Sequence, residues 1–267
     1  MVELSENSNK EYARIIKAIS SAGYKDDDID SVKAFFIARN YSIPSRRINI
    51  NACINKHRSN TAYCDKLREY LMEMKKELQT ATEDQKRTAK QALKDMEWSK
   101  VLEKALPAIN DEKYCLEDRI LIGLYTQLEP VRIDYTHMKL YDTNPKLNKG
   151  SYFIINDSVK EVVINEHKES KIHGPIRQPL PERLAEMITM WFKDETVMFP
   201  IIPATMSQKI KALFLKVTGK PMTVTSLRHS RITFAYKGAP MPKEAKKLAS
   251  AMGHTVGTAQ TYRFAPE

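Results

Sequence analysis

Residues 225–236 read TSLRHSRITFAY, and residues 252–264 read MGHTVGTAQTYRF. The first stretch suits a helix over 226–236 that stops near Gly238. Pro242 opens a second helix over 242–252, and Gly253 ends it. A last short helix over 258–264 carries Tyr262. Arg228, His254 and Tyr262 therefore sit on consecutive short helices or at their ends, so a guanidinium, an imidazole and a phenol lie close along the chain. Taken singly, each has an ordinary structural reading. His254 after a glycine suits a helix end, and Tyr262 suits an amphipathic core position.

The surroundings of these residues are basic. From Thr205 to the end there are eleven lysines and arginines, against Glu244 and Glu267 alone. The whole 267-residue chain has a formal net charge of +10. An acid-poor basic stretch is expected to track phosphates rather than simply to face solvent. Hydrophobic residues make up 42%, enough for a sizeable core and against wholesale disorder. No apolar run is long enough to span a membrane, and the N-terminal MVELSENSNKEYARII lacks the apolar centre of an export signal. Cys53, Cys64 and Cys115 form neither a metal-ligand pair nor an even disulfide set, which points to a reducing, intracellular location.

Further upstream, apolar spacing predicts helices over 9–21 and 29–39, a third opened by Pro44, and a fourth over 61–78. The polar stretch 79–94 then reads as an exposed helix or linker, with a capping box from Thr82 to Gln85. An apolar helix is expected over 117–128. Tyr152 and its neighbours to Ile155, then Val162 to Ile164, read as a hairpin about Asn156, Asp157 and Ser158. A third strand follows over 176–180, which Pro179 confines to an edge or strand end. Helices over 184–192 and 207–217 come next, the latter with a box from Thr205 to Gln208 before it and Gly219 after it. The fold class is mainly α with a small antiparallel β-sheet. The domains are a helical one over 1–80, a linker over 81–95, and a mixed, mainly helical one over 96–267.

From Trp98 to Phe264 the order of residues resembles the tyrosine recombinase, or phage-type integrase, family. That family has an arginine after an early helix, a lysine at a β-hairpin, H-x-x-R, a histidine after a glycine, and a tyrosine nucleophile. Here Arg132 stands in LEPVR, Lys168 in NEHKESK, Arg228 in TSLRH, His254 in MGH, and Tyr262 closes the set. The forms LEPVR and MGHTVGTAQTY look closest to viral and mobile-element members. The resemblance implies a core-binding domain that clamps DNA followed by a catalytic domain. Their partners would be double-stranded DNA and other copies of the chain, as a tetramer on paired sites. It implies no cofactor and no metal. Phosphate contacts are expected from Arg46, Arg47, Lys56 and Arg58 in the first domain, and from Lys171 and Arg231 in the second. Two departures stand out. Thr225 occupies the place of the first histidine of H-x-x-R, where its hydroxyl can donate one hydrogen bond to phosphate or simply cap a helix. His254 and Tyr262 are also one residue closer together than is usual in the family.

The chemistry fits that order. Charge grows on the oxygens of a five-coordinate phosphorus, and two guanidiniums give paired hydrogen bonds to them without a metal. A phenol has an ordinary pKa of ~10, and a cationic pocket lowers the cost of its anion. A lysine at a hairpin tip can protonate the departing deoxyribose oxygen. The acceptor of the tyrosine proton stays open among His254, water and the phosphate itself. The expected activity is DNA recombination or integration through a 3′-phosphotyrosine. A type IB topoisomerase-like nicking and closing activity is the alternative, and a non-enzymatic DNA-binding module the second.

Overall fold

Apolar residues at helical spacing build the first part of the chain, and capping or proline chemistry fixes where two of its helices begin. The computed structural model describes residues 6–83, 89–132, 135–145, 147, 149–167, 170 and 174–264. They fall into two compact units, Met1–Asp84 and Gln85–Glu267.

The first unit is helical: α1 (Glu6–Ser21), α2 (Ile29–Ala38), α3 (Ile43–Lys56) and α4 (Thr61–Glu83). Asp28 caps α2 by accepting from the Asp30 amide at 3.1 Å, and Pro44 lies in the first turn of α3. Ile19, Val32, Phe35, Phe36, Ile50 and Leu67 form the centre of the core. Phe35 meets Tyr24 and Tyr41 edge-on at 5.4 and 5.6 Å. Asp26 joins the loops to α3. It pairs with Lys56 at 2.7 Å and His57 at 2.8 Å, while its carbonyl accepts from the Tyr63 hydroxyl at 2.7 Å. Burial favours the neutral Asp26 carboxyl, but the hydrogen bonds from Lys56 and His57 outweigh it and hold the carboxyl below its usual range. Helix α4 runs past the expected 61–78, so Thr82 lies inside it and is no N-cap. Neither Gly nor Pro stands there to stop the helix. Gln85 lies outside the described residues.

The second unit begins with α5 (Ala89–Ala92), α6 (Trp98–Ala108) and α7 (Leu116–Thr126). Helix α6 buries Trp98, Val101, Ala105 and Ala108 along one stripe. A four-stranded sheet follows, in order β1 (Lys139–Tyr141), β2 (Ser151–Ile155), β3 (Lys160–Ile164) and β4 (Ile176–Pro179). The expected hairpin is β2 with β3, where Phe153 pairs with Val162. The Asn156 side chain closes its turn by accepting from the amides of Ser158 and Val159. β4 lies antiparallel to β3, with Pro179 at the end of this edge strand. The sheet is mixed rather than wholly antiparallel, because β1 joins β2 in parallel.

Then come α8 (Glu182–Asp194), α9 (Pro203–Thr218), α10 (Val224–Lys237), α11 (Pro242–Ala251) and α12 (Val256–Thr261). Helix α9 starts at Pro203, so the expected box at Thr205 falls inside it; Gly219 ends it at φ 79°. Helix α10 is capped by Thr223, with Ser226 completing a reciprocal box, and Thr225 lies in its first turn. The main core gathers α6 to α9 and the sheet around Leu121, Leu124, Phe153, Leu184 and Phe214. At Gly123 the helices α7 and α8 approach closely: a Cβ would meet Leu184 Cδ1 at 2.8 Å. A smaller cluster of Ile232, Tyr236, Leu248, Ala249, Met252 and Ala259 joins α10 to α12.

Candidate active site

Helix α10 presents Arg228 inward, 1% exposed. Its Nη1 donates to the Pro130 carbonyl at 2.9 Å, and its Nη2 meets His254 Nε2. Its guanidinium carbon lies 5.7 Å from the centre of the Tyr262 ring. Arg132 approaches from the segment after α7 and donates to the Gly253 carbonyl at 3.5 Å. The Tyr125 hydroxyl fixes the backbone there by donating to the Arg132 carbonyl at 2.9 Å. Among the described residues Arg132 makes no ion pair.

His254 is placed by the chain reversal after α11. Gly253 adopts φ 66°, which favours glycine, and the His254 amide donates to the Ala249 carbonyl at 2.8 Å. The ring is 2% exposed. Burial pushes its pKa down to about 3, and the neighbouring Arg228, Arg132 and His229 push in the same direction. It is therefore a neutral imidazole, and Arg228 Nη2, which can only donate, meets its Nε2 and lies 3.4 Å from its Nδ1.

Tyr262 is the residue that ends α12, not a member of a helix over 258–264. Its half-buried ring meets His254 edge-on at 5.0 Å. His229, one residue after Arg228, stacks on Tyr262 at 4.5 Å and on Phe264 at 4.7 Å. Its Nδ1 lies 2.6 Å from the Tyr262 carbonyl. Phe264 is held again by its amide, which donates to Thr233 at 3.1 Å. His229 thus fixes the tyrosine segment on α10.

Four of the sequence-derived residues, Arg132, Arg228, His254 and Tyr262, come together here from separate segments. Lys168 and Lys171 lie outside the described residues. The residue before Lys168, His167, is buried against Gly253; a Cβ on that glycine would be 3.3 Å from its Nδ1. Thr225 is exposed and lines a cleft with Thr223, Ser226, His229 and Phe264.

The basic residues after Thr205 are not free of acids, as their own stretch suggests. Glu117 and Asp118 face Lys209, Glu97 pairs with Lys237 at 2.6 Å, and Glu129 grips Arg231. Distant parts of the chain supply what the local sequence lacks. Arg231 and Lys56 are therefore engaged within the protein. Arg46 donates from Nε to the Tyr41 carbonyl at 2.8 Å, Arg47 is half-buried and Arg58 is exposed.

No protein-family model matches this chain, and no curated protein matches it. Among solved structures, a XerA recombinase is similar over 99% of this chain and 89% of its own, with 14% identity and a TM-score of 0.41. No helix of the described residues is long and apolar enough to cross a membrane.

Proposed function

We propose that the chain breaks and rejoins DNA, as a recombinase or integrase does, with Tyr262 attacking a backbone phosphate. The supporting observation is the meeting of two guanidiniums and a neutral imidazole around one half-buried tyrosine. The Tyr262 oxygen forms a bond to phosphorus as the bond to the 5′ oxygen breaks. The phosphate stays on the protein as a 3′-phosphotyrosine. Arg132 and Arg228 neutralise the charge that builds on the equatorial oxygens. His254 enters this step neutral and donates to an oxygen, because a ring that protonates only near pH 3 does not hold the tyrosine's proton. That proton goes to the phosphate or to water. Lys168, assigned on its place in the sequence, protonates the departing 5′ oxygen. A 5′ hydroxyl of another strand reverses the step, so the phosphodiester energy is conserved.

A nicked suicide substrate, whose cut fragment diffuses away, traps the covalent adduct. Wild-type protein is expected to form it, and Tyr262→Phe to form none while still binding the duplex. Arg132→Ala and Arg228→Ala are each expected to slow adduct formation by about two orders of magnitude. An undiminished adduct in Tyr262→Phe removes the assignment.

A further inference from the structure

The segment 128–132, which carries Arg132, has no helix or strand of its own to hold it. Side chains from other elements hold it instead. Gln178 on β4 is 4% exposed. Its Oε1 accepts from the Glu129 amide at 2.8 Å, and its Nε2 donates to the carbonyls of Glu129 and Ala251, each at 3.0 Å. One buried amide thus joins the Arg132 segment to the end of α11, two residues before Gly253. The Glu129 carboxylate turns the other way. It accepts from Arg231 on α10 at two points, Nε to Oε2 at 2.8 Å and Nη2 to Oε1 at 2.5 Å. Arg231 lies three residues after Arg228, so this ion pair ties the same segment to the helix of the second arginine.

We infer that Gln178, Glu129 and Arg231 form a brace that positions Arg132 against Arg228 and His254; the inference rests on the strand-transfer reading above. Each of the three touches a segment bearing a proposed catalytic group, and none is among those groups. A buried amide with three hydrogen bonds fixes one arrangement, since any shift of the segment leaves polar groups unpaired. A planar fork of two parallel hydrogen bonds fixes angle as well as distance. Ion pairs with several tens of per cent of their surface covered add little net stability, so geometry is the more economical explanation for this one. Arg231 acts through Glu129 and not on DNA phosphate.

The test asks whether the brace works through Arg132. Gln178→Met and Glu129→Gln are made alone and together with Arg132→Ala. Adduct formation on the nicked substrate is followed in a single turnover, with duplex binding measured beside it. Each brace change is expected to slow the wild-type background on the order of tenfold, with affinity changed by less than about twofold. In the Arg132→Ala background the same change is expected to slow the reaction by less than about twofold, because an absent guanidinium cannot be misplaced. Equal slowing in both backgrounds, or loss of binding without loss of rate, overturns the inference. If Gln178→Met does not fold, Glu129→Gln carries the comparison. Should wild type form no Tyr262-dependent adduct, the strand-transfer reading itself fails. The brace is then judged by backbone amide exchange in Gln178→Met, or in Glu129→Gln if that variant alone folds. Joint acceleration in 128–132 and 251–254 upholds it for Gln178→Met, and acceleration in 128–132 for Glu129→Gln; unchanged exchange removes it.

Discussion

His254 is held neutral by burial and by Arg228, Arg132 and His229, and that has a consequence for stability. An unfolded histidine takes up a proton below its ordinary pKa of 6.5, whereas the native ring does so only near pH 3. Between those values the unfolded state binds more protons, so stability falls as pH falls; above pH 6.5 the group contributes no pH dependence. At pH 5 the loss amounts to about 2 kcal/mol. Denaturant unfolding of wild type and His254→Gln at pH 7 and pH 5 isolates it, since the carboxylates titrate alike in both. An equal loss on acidification in the variant contradicts the buried neutral ring. Tyr262, Arg228 and His254 were legible as a set at this scale because each is chemically distinctive and their order is ordered along the chain. Gln178 was not. A glutamine within IRQPL gives no sign that its partners lie 49 and 73 residues away.

At the scale of elements, the turn between α11 and α12 decides where the imidazole goes. Gly253 has φ 66°, and an added Cβ there would meet Ile176 Cδ1 at 3.1 Å and His167 Nδ1 at 3.3 Å. Gly253→Ala is expected to cost about 1–2 kcal/mol of stability, from the strained backbone and the crowding together. Gly257→Ala is the control, as a Cβ there meets nothing nearer than Thr255 Oγ1 at 4.0 Å. It should leave the melting temperature unchanged or raise it slightly. Equal melting temperatures for the two variants would show that the turn is not constrained. Most helices were legible in their apolar spacing and their Pro and Gly stops. Helix α6 carries a 3.6-residue stripe in Trp98, Val101, Ala105 and Ala108 that this reading passed over. Strand β1 is only Lys-Leu-Tyr, too short to have a period, and exists because β2 is there to pair with it.

For the whole molecule, the proposed action on DNA by a chain of net charge +10 predicts binding with a steep salt dependence. Affinity measured across a salt series is expected to fall linearly on logarithmic axes. Arg58→Ala, at an exposed position beyond α3, should flatten the slope by about 0.9 if it meets a phosphate. Arg231→Ala should leave the slope as it is, because Glu129 already holds that guanidinium. A flat salt dependence in wild type speaks against phosphate-dominated binding.

The amino-acid sequence by itself determined the mainly helical class with a small sheet, the hairpin and its edge strand. These follow from local spacing and turn chemistry, which act over a few residues. It also supplied the guanidinium, imidazole and phenol groups on which the proposed phosphate chemistry rests, since these are properties of single side chains. Only the tertiary structure decided which cations have partners, because Glu97, Glu117 and Glu129 reach Lys237, Lys209 and Arg231 across the fold. It alone decided that His254 is neutral and that His229 stacks on Tyr262. Burial and the approach of distant charges set both, and neither is a property of any short stretch of chain.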